Sequence, residues 1–108
     1  MAKTVTVSLE TPITSHNGPV TQVTIREPNG RDYIELGEPA VFAQTASKTA
    51  VLAENDTAIK GYIQRCITEP NADIVMAQVG LTDMMKIKQE ILGFFQAARA
   101  ALSVDGLS

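Results

Sequence analysis

Thr4-Val5-Thr6-Val7-Ser8-Leu9 and Val20-Thr21-Gln22-Val23-Thr24-Ile25 are the two stretches whose reading decides the fold. In the first, Val5, Val7 and Leu9 alternate with Thr4, Thr6 and Ser8. Successive side chains of a strand leave opposite faces, so this period of two marks a strand buried on one side. Pro12 then ends the run, and Ser15-His16-Asn17-Gly18 supplies a tight turn because Asn and Gly accept positive φ. Val20, Val23 and Ile25 make the returning strand up to Pro28. Its alternation slips by one residue, which predicts a bulge near Thr21-Gln22. The pair reads as an antiparallel hairpin.

Working outward, Asn29-Gly30 marks a second turn, and Arg31 to Leu36 is long enough for one or two helical turns before Gly37. Residues 38–54 admit two readings. Ala40, Ala43, Ala46, Ala50 and Ala53 suit a helix. Pro39 at the start and Thr45-Ala46-Ser47-Lys48 in the middle suit a short hairpin, which is the preferred reading. Beyond this point the period changes. Ile59, Tyr62, Ile63, Cys66 and Ile67 fall on one helical face, begun by Asn55 or Asp56 and stopped by Pro70. Asn71 caps a shorter helix holding Ile74, Val75 and Val79, ended by Gly80. Thr82 or Asp83 starts the longest helix, running to about Leu102, with Asp83 complementing the helix dipole. The expectation is an α+β fold: N-terminal antiparallel β-hairpins, then a cluster of about three helices. Residues 1–102 form one domain with Val7, Ile25, Ile63 and Phe95 in its core, and residues 103–108 form a frayed tail.

The bulk properties narrow the function. The chain has 108 residues, 44% hydrophobic and 19% charged, which is a globular composition. Aromatics are 5% with no Trp, so the core is aliphatic. The net charge is −3 and the basic residues are scattered. That argues against nucleic acid, which calls for a cationic face, and against docking on anionic membranes. No apolar stretch is long enough to span a bilayer. The single cysteine, Cys66, fits a reducing compartment.

Groups that carry chemistry do not converge. His16, the only histidine, falls in the hairpin turn and reads as an exposed turn residue. Cys66 lies among Ile63 and Ile67 and reads as an inert buried thiol. Glu69, Asp73, Asp83 and Glu90 lie on different elements, without the alternating spacing of a Ca²⁺ loop. Neither a dinucleotide nor a P-loop glycine pattern occurs. No cofactor, no metal and no enzymatic activity are therefore expected.

The last helix carries more apolar surface than a core contact requires. At 100° per residue, Met84, Ile91, Phe95 and Leu102 form a central stripe, assigned to the core. Leu81, Met85 and Leu92 flank one side, where Lys88 and Arg99 interrupt it. Ile87 and Phe94 flank the other, beside the small residues Ala97 and Ala101. Packing between two neighbouring helices explains the arc as well as binding does. If part of it binds a partner, Ile87, Phe94, Ala97 and Ala101 are the candidates, because small residues beside an aromatic ring admit a close-approaching helix.

In order, several segments resemble one family. They are the two strand stretches; Arg26-Glu27-Pro28 with Gly30-Arg31-Asp32; Leu36-Gly37-Glu38-Pro39; Ile59-Lys60-Gly61-Tyr62; Leu81-Thr82-Asp83; and Ile91-Leu92-Gly93-Phe94-Phe95. The likeness is to the tail assembly chaperones of contractile-tailed phages of the Mu type, and it spans nearly the whole chain. The chain departs from it at Ile67-Thr68-Glu69-Pro70-Asn71, where a single Pro stands in place of a Gly-Ile-Pro-Pro-like loop. The resemblance implies a non-catalytic protein of the bacterial host cytoplasm. Its partner would be the tape-measure protein, with the tail-tube protein and self-association as further contacts. A small structural tail or head–tail joining protein is the alternative.

Overall fold

The computed structural model describes residues 3–44 and 50–107, with side-chain detail for residues 3–41 and 53–102. The expected α+β architecture holds: an antiparallel hairpin comes first and a helix cluster follows. Strand β1 (Thr4–Ser15) pairs with β2 (Gly18–Arg26), from Thr4↔Arg26 to Ser8↔Gln22 and again from Ile13↔Val20 to Ser15↔Gly18. Gly18, at φ 109°, supplies the positive φ of the turn.

The irregularity lies where β2 was expected to bulge, but the surplus residues belong to β1. Leu9, Glu10, Thr11 and Pro12 stand opposite Thr21 alone. Pro12 therefore does not end the strand. It sits in the looped-out segment, where the missing N–H costs no ladder bond.

Helix α1 (Gly30–Leu36) follows, then a two-stranded sheet of β3 (Ala40–Gln44) and β4 (Ala50–Glu54). The hairpin reading of residues 38–54 is thus correct over its two strands. Its turn residues, Thr45-Ala46-Ser47-Lys48, lie outside the described residues. Helix α2 (Asp56–Cys66) leads into β5 (Ile67–Glu69), which adds to β2 and gives the sheet order β1-β2-β5. This short strand was not anticipated. Helices α3 (Ala72–Gln78) and α4 (Leu81–Leu107) complete the chain.

The core lies between the three-stranded sheet and helices α2, α3 and α4. Val7, Ile13, Val23 and Ile25 enter from the sheet, Ile59, Tyr62, Ile63 and Cys66 from α2, Val75 from α3, and Ile87 and Ile91 from α4. Tyr62 is fully buried, and its hydroxyl donates to the Gly37 carbonyl at 2.7 Å, which removes the cost of an unpaired phenol. Val7, Ile25 and Ile63 are buried as expected. Phe95 is only half-buried: it lies edge-on against Tyr62, with ring centroids 5.0 Å apart.

Helix α4 departs from expectation in two respects. Its backbone is helical through Leu107, beyond the expected end near Leu102. Twenty-seven residues span about 40 Å at 1.5 Å each. All residues from 96 to 102 are exposed, so the helix runs past the body. The radius of gyration, 15.6 Å, accordingly exceeds the roughly 13 Å of a compact chain of this length.

The helix is also rotated about its axis relative to the expected stripe. Ile87 and Ile91 face the core, whereas Met84, placed at the centre of the expected stripe, is half-buried. Asp83 explains the rotation. Asp83 is 2% exposed, and its carboxylate accepts from the Glu10 N–H at 2.9 Å and the Thr11 N–H at 3.3 Å. These amides belong to the looped-out part of β1, so a polar tether sets which face of α4 turns inward.

Candidate interaction surface

Arg26, Asn29 and Asp32 position the first wall of the surface. Asn29 accepts from the Asp32 N–H, and the Asp32 carboxylate accepts from the Asn29 N–H, a reciprocal cap that starts α1. Asp32 is 3% exposed. Its carboxylate lies 2.8 Å from Arg26 at the end of β2 and 3.4 Å from Arg65 on α2. Arg65 also pairs with Glu35, 2.5 Å away. Burial alone would raise the Asp32 pKa, but the Arg26 hydrogen bond, the Asn29 amide and Arg65 hold it below the usual carboxylate value. Arg26 through Asp32, one of the stretches that carry the resemblance, thus locks α1 to β2 and α2. At Gly61, a Cβ would lie 2.6 Å from Leu36 Cδ2, so glycine lets α1 approach α2.

This locked α1 presents Tyr33, 42% exposed, beside the distal half of α4. The Tyr33 and Phe95 rings are tilted, with centroids 6.3 Å apart. A recess runs between Pro28, Tyr33, Phe95, Ala98 and Leu102. A second, on the other side of Arg99, is lined by Pro39, Val41, Leu92 and Phe95. Glu38 lines the first recess, accepting from the Tyr33 hydroxyl and pairing with Arg99, which lines both. Lys88 pairs with Glu54 in the same way. The flank interrupted by Lys88 and Arg99 carries the apolar recesses, with both cations neutralised by acidic partners, of which Glu54 ends β4.

Of the four candidate residues, Ile87 is misplaced. It is fully buried between the sheet and α2, and no partner can reach it. Phe94 is half-buried and packs on the core, with Ala97 beside it in a depression that includes Val5 and Glu27. Ala97 and Ala101 are exposed. The structure therefore brings Phe94 and Ala97 together and leaves Ile87 apart from them. Tyr33, Val41 and Leu102 were missed. Leu102 is 69% exposed although it shares the core stripe of Met84 and Ile91, because the body ends before the helix does. Tyr33 follows the Asn29 cap, a signal that places it on a short helix but does not say which way it faces.

Among the described residues, no group of three or more His, Cys, Asp or Glu could hold a metal ion. Burial pushes the Cys66 thiol up to about 11, so it is protonated and unreactive at neutral pH. Burial likewise raises Tyr62 to about 12. No helix among the described residues is long and apolar enough to cross a membrane. Compared with protein-family models, with curated proteins and with solved structures, the chain gives no match in any of the three.

Proposed function

We propose that this chain is a non-catalytic assembly chaperone that covers an apolar helical stripe of an elongated partner. The observation that carries the reading is the distal half of α4. There, Phe95, Ala98 and Leu102 combine with Tyr33 and Pro28 into an apolar recess that stays open among the described residues. Such a recess suits the helix-in-groove mode of recognition, with anchors spaced at one helical face. The resemblance to tail assembly chaperones supplies the partner: the tape-measure protein, whose long helices need shielding until the tail tube forms around them. This role requires the bacterial cytoplasm.

Co-expression with the tape-measure protein encoded nearby tests the reading. Wild type should keep the tape-measure protein in the soluble fraction and co-purify with it. Mass spectrometry of finished particles should not detect the chain, because a chaperone leaves before completion. Its stoichiometric presence in particles would instead identify a structural tail or head–tail joining protein.

A further inference from the structure

Strand β1 is an edge strand, and its two halves are treated differently. In the order β1-β2-β5, one side of β1 has no neighbouring strand among the described residues. Glu27 donates its N–H to the Lys3 carbonyl at 2.7 Å, which makes Lys3 and Glu27 a hydrogen-bonded pair. Bonded pairs alternate along an antiparallel ladder. With the register from Thr4↔Arg26 to Ser8↔Gln22, Val5 and Val7 therefore turn their N–H and C=O groups toward β2. Thr4, Thr6 and Ser8 turn theirs away from it.

Side chains of α3 and α4 occupy the outward groups farther along. Lys86 donates to the Ser8 carbonyl at 3.3 Å, and Asp83 accepts from Glu10 and Thr11. Gln78 accepts from the Thr14 N–H at 2.9 Å and donates to its carbonyl at 2.8 Å. This is how natural proteins block an edge against unwanted pairing. The same blocking stops at Ser8. Among the described residues, no side chain bonds the outward groups of Thr4 or Thr6, which are both exposed. The open stretch has no charge, proline or bulge between Thr4 and Ser8. Beside it runs a groove whose other wall is the α4 row Thr82, Met85 and Gln89, with Met85 57% exposed.

We propose that the outer edge of Thr4–Ser8 is a docking site for an extended segment of a partner protein. The segment adds about five residues as a fourth strand of the β1-β2-β5 sheet. The free N–H and C=O groups of Thr4 and Thr6 specify an extended backbone, since no helix can offer them a ladder. Alternate side chains of the segment face the α4 wall, where an aliphatic residue covers Met85. Of the two charges at this groove, Lys86 is engaged by Asp83, Glu10 and the Ser8 carbonyl, which leaves Glu90 to favour a basic residue. A second copy of β1, paired antiparallel, is the alternative occupant that the dimer measurement below separates. This site is separate from the distal α4 recess and does not rest on the proposed function.

The test uses the whole chain and a blocked peptide of sequence Lys-Thr-Leu-Thr-Val-Thr-Lys, followed by NMR. Binding should shift the amide signals of Thr4, Thr6 and Ser8 and slow their hydrogen exchange at least tenfold, leaving Tyr33 and Leu102 unchanged. Only one edge of an added strand faces β1. Of two peptides N-methylated at alternate residues, one should therefore lose at least tenfold in affinity and the other should not. Thr6→Pro, tolerated where an edge N–H points outward, should weaken binding by a similar factor. Equal binding of the two N-methylated peptides would overturn the proposal, as would shifts centred on the distal α4 recess. So would the absence of saturable binding at millimolar peptide. A wild-type dimer that Thr6→Pro converts to monomer would assign the edge to a second copy instead.

Discussion

The proximal and distal halves of α4 contain similar apolar residues at similar spacing, yet they meet different surroundings. From Asp83 to Leu92 the helix lies on the sheet and α2, and Ile87 and Ile91 are sealed. From Gln96 to Leu102 every residue is exposed. What separates the halves is where the rest of the chain ends. An apolar residue of one helix is core or interface according to what stands opposite it, and periodicity alone carries no record of that.

The sharpest way to break the comparison is to exchange the penalties of the two halves. Ile87→Ala should destabilise the fold by roughly 2–5 kcal/mol, the range for truncating a fully buried aliphatic residue. Chemical denaturation would read this as a lower midpoint. A loss below about 0.5 kcal/mol would return Ile87 to the surface. Phe95→Ala lies at the boundary. Its ring is half-buried against Tyr62, so a loss of about 2 kcal/mol is expected, less than the 3–5 of a fully buried phenylalanine.

Asp83 offers a smaller but more diagnostic effect. Backbone amides of Glu10 and Thr11 hold its pKa below the ordinary value, as Arg26 and Asn29 do for Asp32. A depressed carboxylate contributes stability that is present above its unfolded pKa, about 3.9, and is lost as pH falls through the folded value. Stability should therefore decline below about pH 4. Asp83→Asn should flatten that decline, while a pH profile identical to wild type would show that the tether carries no charge dependence. Smallest of all, Leu102→Asp should shift stability by no more than about 0.5 kcal/mol, as for a surface residue.

The hairpin, the second hairpin and the three later helices were legible because period-two and helical patterns are local. Asn29, Asn55 and Asn71 each cap the helix that follows them. Three features were not legible. The four residues looped out of β1 were hidden because Pro12 reads as a stop, and their amides are satisfied by Asp83, far along the chain. The rotation of α4 was undetermined because its apolar arc covers about half the helix, and only that distant bond fixes it. Ile87 was therefore read as surface and Leu102 as core, each the reverse of its placement. Ala97 and Ala101, named as candidates beside Phe94, are exposed because the helix has run past the body there.

The soluble yield of the tape-measure protein co-expressed with Leu102→Asp tests the central claim most directly, that distal α4 is a binding surface. The variant should melt as wild type does, yet leave most of the tape-measure protein in the insoluble fraction. Undiminished soluble yield of the partner, with the variant folded, would contradict it.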